Sequence, residues 1–212
     1  SLSTIDFLEN APSLKTLNLS NNTVRNLSVL ATIPTLESIN LQHNAVTELT
    51  DISTLANLKE LNIGYNSVSS LAPLANCVNL VHLNADHNAI ESLDPLKGMT
   101  KLAQLSVDYN NITSVAELSS NTSLTDLSIA SNKISDISNL SVLTKLEILD
   151  FSGTDGDFQF SEQVRAENVN IGVSVMKGNT VLREAIDGVL SKMTEADFNK
   201  MMDDAIAVQP AE

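Results

Sequence analysis

The stretch LKTLNLSNNTV at residues 14–24 decides the fold, because the chain returns to it every 22 residues. The later copies are LESINLQHNAV (36–46), LKELNIGYNSV (58–68), LVHLNADHNAI (80–90), LAQLSVDYNNI (102–112), LTDLSIASNKI (124–134) and LEILDFSGTDG (146–156). The shared pattern is L-x-x-L-x-L-x-x-N-x-L, with Ile, Val or Ala in place of some leucines. Strict repetition of this length predicts a solenoid, in which each repeat buries its apolar side against its neighbours.

Within each copy the residues alternate as a strand with one buried side does. Leu17 and Leu19 alternate with the polar Thr16, Asn18 and Ser20. An asparagine follows where the strand should turn away, and its side chain can satisfy backbone groups that the bend would leave unpaired. This predicted asparagine ladder comprises Asn22, Asn44, Asn66, Asn88, Asn110 and Asn132, with Thr154 in the seventh place.

The second half of each repeat adds further apolar columns. One of them reads Ile33, Leu55, Cys77, Met99, Asn121, Leu143. Cys77 is therefore predicted to be a buried small hydrophobe and not a nucleophile. Asn121 interrupts the column and predicts a local defect there, such as a buried water. Pro34, Pro73 and Pro95 favour tight turns on the convex side, with no helix longer than about a turn.

These repeats resemble the leucine-rich repeat family, in particular the 22-residue type of internalin-like bacterial surface proteins, over residues 2–154. The resemblance implies an α/β solenoid with a short parallel sheet on the concave side and turns or 3-10 segments on the convex side. The first domain is accordingly 1–154, with seven repeats from Leu14 and a partial repeat before it. The resemblance also implies a secreted or cell-surface bacterial protein that recognises a protein partner on its concave face.

Composition narrows the function further. The formal net charge of −14 argues against binding to nucleic acid or to anionic membrane surfaces. The single cysteine excludes an internal disulfide, and no apolar run reaches the ~18 residues of a membrane-spanning helix. No Ser-His-Asp arrangement, phosphate-binding glycine loop or cluster of metal ligands is evident. We therefore expect a non-enzymatic protein that needs no cofactor and no metal.

One group of residues deserves a test as a metal site, because His82, Asp86 and His87 lie within six positions. His82 and Asp86 share one side of a strand but attach ~13 Å apart at ~3.3 Å per residue. Ligands of one ion lie ~2 Å from it. His87 falls in the turn, so the grouping is interpreted as a coincidence of repeat columns.

The best candidate for a binding site is the column just before the asparagine ladder. It holds four consecutive rings, those of His43, Tyr65, His87 and Tyr109, which include both tyrosines of the chain. At ~4.8 Å per strand they should form a stripe ~15 Å long. Tyrosine is enriched in interface hot spots. The alternative is that the rings only cover the edge of the sheet.

Polar neighbours of the rings complete the predicted ligand-binding set. These are Asp86, Asp108, Asn62 and Asn84, which lie on outward columns of the strands. The two aspartates predict that the partner surface is basic or polar.

Beyond Thr154 the period stops, and residues 155–212 are expected to form a strand followed by two helices. Val169, Ile171, Val173 and Val175 alternate as a strand does, and amphipathic helices begin near Asn179 or Thr180 and near Thr194. Residues 168–209 resemble the C-terminal end of the extracellular amino-acid-binding proteins of ABC transporters. The ligand-binding lobes of that family have no counterpart here. The segment is either a cap for the last repeat or a solute-binding-protein-like tail.

Three interpretations of function therefore stand. The first is protein–protein recognition on the concave face. The alternative is a solute-binding component, or a fragment of one, fused to a leucine-rich repeat domain. The third is a truncated or assembled chain without a single role. Because residues 1–13 hold only part of a repeat, we also expect an apolar N-terminal edge prone to self-association.

Overall fold

The structure is a computed structural model and describes residues 1–154 of the chain. The strand and two helices expected in 155–212 lie outside the described residues, and the domain boundary after 154 stays a prediction.

Each repeat contributes one three-residue strand to a single seven-stranded parallel sheet, in chain order β1 to β7. Each residue of strands β1 to β6 pairs with the residue 22 positions later, so Leu61 lies beside Leu83 and Leu83 beside Leu105. The strands are β1 Thr16–Asn18, β2 Ser38–Asn40, β3 Glu60–Asn62, β4 His82–Asn84, β5 Gln104–Ser106, β6 Asp126–Ser128 and β7 Ile148–Asp150. The predicted solenoid with its parallel sheet is confirmed.

The return path of each repeat contains one short 3-10 helix. Pro73 and Pro95 lie in the first turn of theirs, where the missing N–H has no helical partner to lose. The 3-10 helices are η1 Asp6–Asn10, η2 Ser28–Thr32, η3 Thr50–Thr54, η4 Ala72–Asn76, η5 Asp94–Leu96, η6 Ala116–Ser120 and η7 Ser138–Val142. The absence of a longer helix in residues 1–154 agrees with the expectation from the prolines. No helix in this range is long and apolar enough to cross a membrane.

The core lies between the sheet and the 3-10 helices and consists of aliphatic columns. Leu36, Leu58, Leu80 and Leu102, which begin successive repeats, are fully buried. Cys77 is buried as predicted, and burial raises the pKa of its thiol to about 11. A thiol that stays protonated at neutral pH is a poor nucleophile. Cys77 is therefore a packing residue.

The predicted asparagine ladder is confirmed, and its hydrogen bonds link each repeat to the one before. Asn88 Nδ2 donates to the carbonyl oxygens of Ala85 at 3.1 Å and of Ile63, one repeat back, at 2.9 Å. Its Oδ1 accepts from the Val68 N–H at 2.8 Å. Thr154 ends the ladder with a hydrogen bond from its Oγ1 to the Phe151 carbonyl. The buried turns thus keep their polar groups paired, as a solenoid interior requires.

The predicted defect at Asn121 is present as an unpaired oxygen. The side chain is fully buried and its Nδ2 donates to the carbonyls of Leu96 at 3.0 Å and Met99 at 3.1 Å. Its Oδ1 has no hydrogen-bond partner. The preceding repeat, to which Asn121 donates, is also irregular, because η5 is shorter than the other 3-10 helices and is followed by Gly98 at φ +81°.

The partial repeat at the N-terminus packs against the first full one. Ile5 and Leu8 are buried, while Leu2 and Leu14 are only partly buried against the core. The Leu2 N–H donates to Asn22 Oδ1 at 2.7 Å, and its carbonyl accepts from the Thr23 N–H at 2.9 Å. Self-association through this edge stays a prediction.

Candidate binding surface

The four predicted rings form one continuous stack along the solenoid. Ring centroids are 4.1 Å apart between His43 and Tyr65, 4.1 Å between Tyr65 and His87, and 4.2 Å between His87 and Tyr109. The planes deviate from parallel by 25°, 19° and 9° along the series. The small angles show that the rings lie face to face. The ring spacings are shorter than the ~4.8 Å between strands. We call His43, Tyr65, His87 and Tyr109 the ring stack.

The backbone of each residue in the ring stack adopts the left-handed conformation. The φ angles are 53° at His43, 56° at Tyr65, 51° at His87 and 53° at Tyr109. Strict alternation would place residue 87 on the inner side with Leu83 and Ala85. The positive φ instead turns the chain off the sheet and leaves the ring outside.

The left-handed conformation is unusual for tyrosine and costs about 1 kcal/mol or more per residue. Sequence reasoning missed it, although the column carries a signal. Its other members are Asn21, Ser131 and Gly153, and asparagine and glycine adopt positive φ most readily. The positive φ is therefore a feature of this position in every repeat, whichever residue occupies it. Tyrosine adopts it at a higher cost than asparagine or glycine.

The polar residues predicted beside the stack are half-buried and engaged in internal hydrogen bonds. Asn62 Oδ1 accepts from the Gly64 N–H at 3.0 Å, and Asn84 Oδ1 accepts from the Asp86 N–H at 3.3 Å. Asn18 and Asn40 form the same turn in the first two repeats. An asparagine that bonds to the N–H two residues on is a common stabiliser of turns. These asparagines hold the strand ends in place.

Asp86 and Asp108 make the corresponding hydrogen bond to a backbone N–H of the following repeat. Where Ser106 replaces the asparagine, Asp86 Oδ1 accepts from the Asp108 N–H at 2.8 Å and from Ser106 Oγ at 2.6 Å. Where Ser128 replaces it, Asp108 Oδ1 accepts from the Ala130 N–H at 2.7 Å and from Ser128 Oγ at 2.7 Å. The two carboxylates thus have a structural function that sequence reasoning did not foresee.

The environment of Asp108 disfavours its charge. Burial raises the pKa of this carboxyl, and the nearby carboxylates of Asp86 and Asp150 raise it further, against the lowering effect of the bonds from Ser128 and Ala130. The carboxyl groups of Asp86, Asp108 and Asp150 therefore lie near one another in the last four repeats.

The outward side of the sheet is acidic as a whole. We define the strand face as four columns of outward positions, one residue of each column per repeat. The columns start at Thr16, Asn18, Ser20 and Asn21 and end at Ile148, Asp150, Ser152 and Gly153. These positions include no Lys or Arg in residues 1–154 but carry five carboxylates: Glu60, Asp86, Asp108, Asp126 and Asp150. Ile148 is 57% exposed on this face. The cations Lys15 and Lys59 lie beside it, where both pair with Glu37 at 2.9 and 2.6 Å.

His82 and His87, considered above as possible metal ligands, have different neighbours in the structure. His82 Nδ1 lies 3.8 Å from Glu60 Oε1, while His87 belongs to the ring stack. Among residues 1–154, no three His, Cys, Asp or Glu side chains are placed to hold a metal.

Sequence profiles identify the family to which these repeats belong. A profile described as leucine rich repeats (2 copies) matches residues 34–76 and 78–120, and a leucine rich repeat profile matches 10–31 and 120–137. Together they cover more than half of the chain. The chain belongs to the leucine-rich repeat family. A search of curated protein sequences finds no match.

Solved structures extend the likeness to internalins. An internalin C2 from Listeria monocytogenes is 30% identical with a TM-score of 0.70, over 71% of this chain and 66% of that one. Another internalin of that organism, InlF, is 23% identical with a TM-score of 0.75, over 84% of this chain and 58% of that one. This leucine-rich repeat chain therefore spans about three fifths of the length of these internalins.

A more distant likeness involves a receptor. The plant peptide hormone receptor RGFR1, in complex with RGF2, has a TM-score of 0.71 at 19% identity, over 81% of this chain and 30% of that one. At this identity the likeness concerns the fold alone. None of these matches supports the predicted resemblance of residues 168–209 to amino-acid-binding proteins, nor the solute-binding alternative.

Proposed function

We propose that this leucine-rich repeat protein is a non-enzymatic recognition module that binds a protein partner on its concave strand face, with the ring stack at the centre of the contact. Family membership supports the general class, since internalins and a peptide hormone receptor share the fold. The ring stack supports the location.

The observation that carries the proposal is the combination of strain and exposure at the stack. Tyr65 and Tyr109 are 42% and 55% exposed although each occupies a left-handed position. Large rings left accessible at a strained position are typical of functional surfaces. They also provide rigid amphipathic contact area at little entropic cost.

The competing explanation is that the rings cover the sheet edge. Against it, the column reads Asn21, Ser131 and Gly153 in three other repeats, and the sheet edge there is built with the same backbone conformation. The core beneath Ser131 is intact, since Ile129 and Ile134 are fully buried. Covering the edge therefore does not require rings.

The likeness to internalins also supports a bacterial origin and a position at the cell surface or outside the cell. We propose this location together with the recognition function.

The test is a selection of peptide ligands from a displayed random library on the immobilised full chain. Selected ligands are then measured against a variant in which all four residues of the ring stack are alanine. We expect affinity to fall at least about tenfold, as loss of a hot-spot cluster does. The matched control is Val78→Ala with Val142→Ala, which removes exposed apolar groups outside the strand face.

Two results would contradict the proposal. One is a set of ligands that bind the four-alanine variant as tightly as the parent chain. The other is a set of ligands that respond to the control substitutions instead. Circular dichroism of each variant establishes that the repeats remain folded.

A further inference from the structure

We propose that the strand face accepts an arginine side chain from a basic segment of the protein partner, stacked on the open face of Tyr109 above Ser131 and Gly153. This inference rests on the proposed recognition function and specifies the chemistry of the partner.

Tyr109 ends the ring stack, so one of its faces has no stacking partner in the part of the chain that the structure describes. Its other face is covered by His87, with nearly parallel planes 9° apart. In the next repeat the column continues with Ser131, whose side chain is too short to cover a phenol ring. Tyr109 is accordingly 55% exposed, against 42% for Tyr65, which has a ring on both sides. Within residues 1–154 no further ring continues the stack, so the face of Tyr109 toward Ser131 is available to a planar group of a ligand.

The space beside Tyr109 extends over two repeats. Ser131 and Gly153 occupy the column there, both at positive φ, 52° and 66°. A Cβ atom at residue 153 would lie 3.0 Å from Ser131 Oγ, tighter than ordinary packing contact, so any side chain at 153 would crowd the serine. Because Gly153 has no side chain, the space beside Ser131 stays open. We call Tyr109, Ser131 and Gly153 the stacking shelf.

Charge selects a guanidinium over a neutral aromatic group for this shelf. The strand face has five carboxylates and no Lys or Arg, and three of the five, Asp108, Asp126 and Asp150, belong to the last three repeats. The Asp150 carboxylate is close enough to Asp108 to raise the pKa of Asp108. Asp150 Oδ1 accepts from the Ser152 N–H at 2.9 Å, while its Oδ2 has no hydrogen bond within residues 1–154 and can accept from a ligand. A cation there relieves this repulsion.

Arginine fits better than lysine because its planar guanidinium stacks on an aromatic ring and still donates hydrogen bonds from its edge to carboxylates. A lysine ammonium is a compact, strongly hydrated charge and uses only the electrostatic part of the site. The opposite end of the stack lacks this combination. Beyond His43 the column continues with Asn21, and the strand-face positions of the first two repeats carry no carboxylate.

The chain supplies its own reporter for the test. It has no tryptophan and only two tyrosines, so in the Tyr65→Phe variant Tyr109 is the sole source of intrinsic fluorescence above the phenylalanine range. The probes are acetyl-Gly-Arg-Gly-Arg-Gly-amide and the equivalent peptides with lysine or neutral citrulline. We expect a saturable change in Tyr109 emission with a dissociation constant of about 1 mM for the arginine peptide. The lysine peptide should bind at least about threefold more weakly.

Variants in the full chain locate the site, with binding measured by anisotropy of a fluorescein-labelled arginine peptide. Tyr109→Ala should remove the preference for arginine over lysine. Asp150→Asn should weaken binding at least about twofold, whereas Asp51→Asn, the same change of charge on η3, should not. Circular dichroism confirms that each variant is folded.

The outcomes separate this inference from the proposed function. Equal affinities for the arginine and lysine peptides, no saturation up to about 10 mM, or full arginine preference in Tyr109→Ala would each overturn the arginine site. If library-selected ligands then still require the ring stack, the recognition function stands without it. If neither class of ligand depends on the rings, both proposals are wrong.

Discussion

The carboxylate of Asp86 replaces an asparagine that the next repeat lacks at Ser106. Asp86 Oδ1 lies 2.6 Å from Ser106 Oγ and 2.8 Å from the backbone nitrogen of Asp108. In the preceding repeats the asparagine of the same column, such as Asn62, makes the second of these bonds within its own repeat. Asp108 and Ser128 repeat the exchange one turn later. The two aspartates therefore join repeats as well as adding charge to the strand face.

This exchange predicts a compensating pair of substitutions. Asp86→Ala leaves the Asp108 N–H without its acceptor and should lower the free energy of unfolding by about 1–2 kcal/mol. Ser106→Asn restores the acceptor within the repeat, so the same Asp86→Ala change should cost about 1 kcal/mol less in that background. Urea denaturation of the four chains of the cycle measures the coupling. Strictly additive effects would show that the aspartate does not replace the asparagine.

Asp108 should make stability depend on pH in the direction opposite to most carboxylates. Its pKa is raised, chiefly by burial, so the folded chain holds this proton more tightly than the unfolded chain does. The stabilising effect of that proton is complete below the ordinary aspartate pKa and is lost as pH rises through the raised value. Asp108→Asn keeps an acceptor but cannot ionise. Relative to the parent chain it should therefore gain stability between about pH 3.5 and pH 7.

The control for Asp108 is Asp136→Asn. Asp136 has a lowered pKa, because the N–H and hydroxyl of Ser138 hydrogen-bond to its carboxylate. Its contribution is present above the ordinary pKa and is lost as pH falls through the lowered value. Thermal unfolding of both variants and the parent chain is measured at the two pH values. On going from about pH 3.5 to pH 7, the stability relative to the parent should rise for Asp108→Asn and fall for Asp136→Asn. Differences of the same sign would contradict the assignment.

Replacing Asn121 with an apolar residue should stabilise the fold. Its buried Oδ1 is unpaired, while the carbonyls to which its Nδ2 donates already accept backbone bonds from Met99 and Leu102. Asn121→Leu should therefore raise the free energy of unfolding by about 1 kcal/mol. Asn121→Ala, which leaves a cavity, should not produce this gain. A less stable leucine variant would mean that the two side-chain bonds outweigh the unpaired oxygen.

Stacking should contribute to stability in proportion to the number of ring faces covered. Tyr65 stacks on two rings and Tyr109 on one. At about 0.5–1.5 kcal/mol per aromatic contact, Tyr65→Ala should destabilise the chain by about twice as much as Tyr109→Ala. Val78→Ala, at an exposed site outside the stack, should change stability by less than about 0.5 kcal/mol. Chemical denaturation measures all three. Equal losses at the two tyrosines would mean that the stack contributes no energy of its own.

Much of the fold was predictable because a repeat constrains every residue by its counterparts. The 22-residue period placed the leucines and Cys77 inside, since a column whose members are almost all apolar can only face the core. It also placed the asparagine ladder at the bend after each strand, where the backbone leaves polar groups to be paired. The same period brought His43, Tyr65, His87 and Tyr109 together, because parallel strands in register align equal positions. Whether these side chains bind a partner is not decided by register, and that assignment stays a proposal.

By itself, the sequence determined the solenoid, its register and the membership of each column, because hydrophobic burial acts on the average character of a repeated position. Only the tertiary structure decided two features of the strand face. One is the positive φ that turns the rings outward, since strand periodicity does not predict a left-handed residue. The other is the capping of Ser106 and Ser128 by aspartates of the preceding repeats. A hydrogen bond depends on which donor and acceptor atoms meet, and the period specifies only which residues are neighbours.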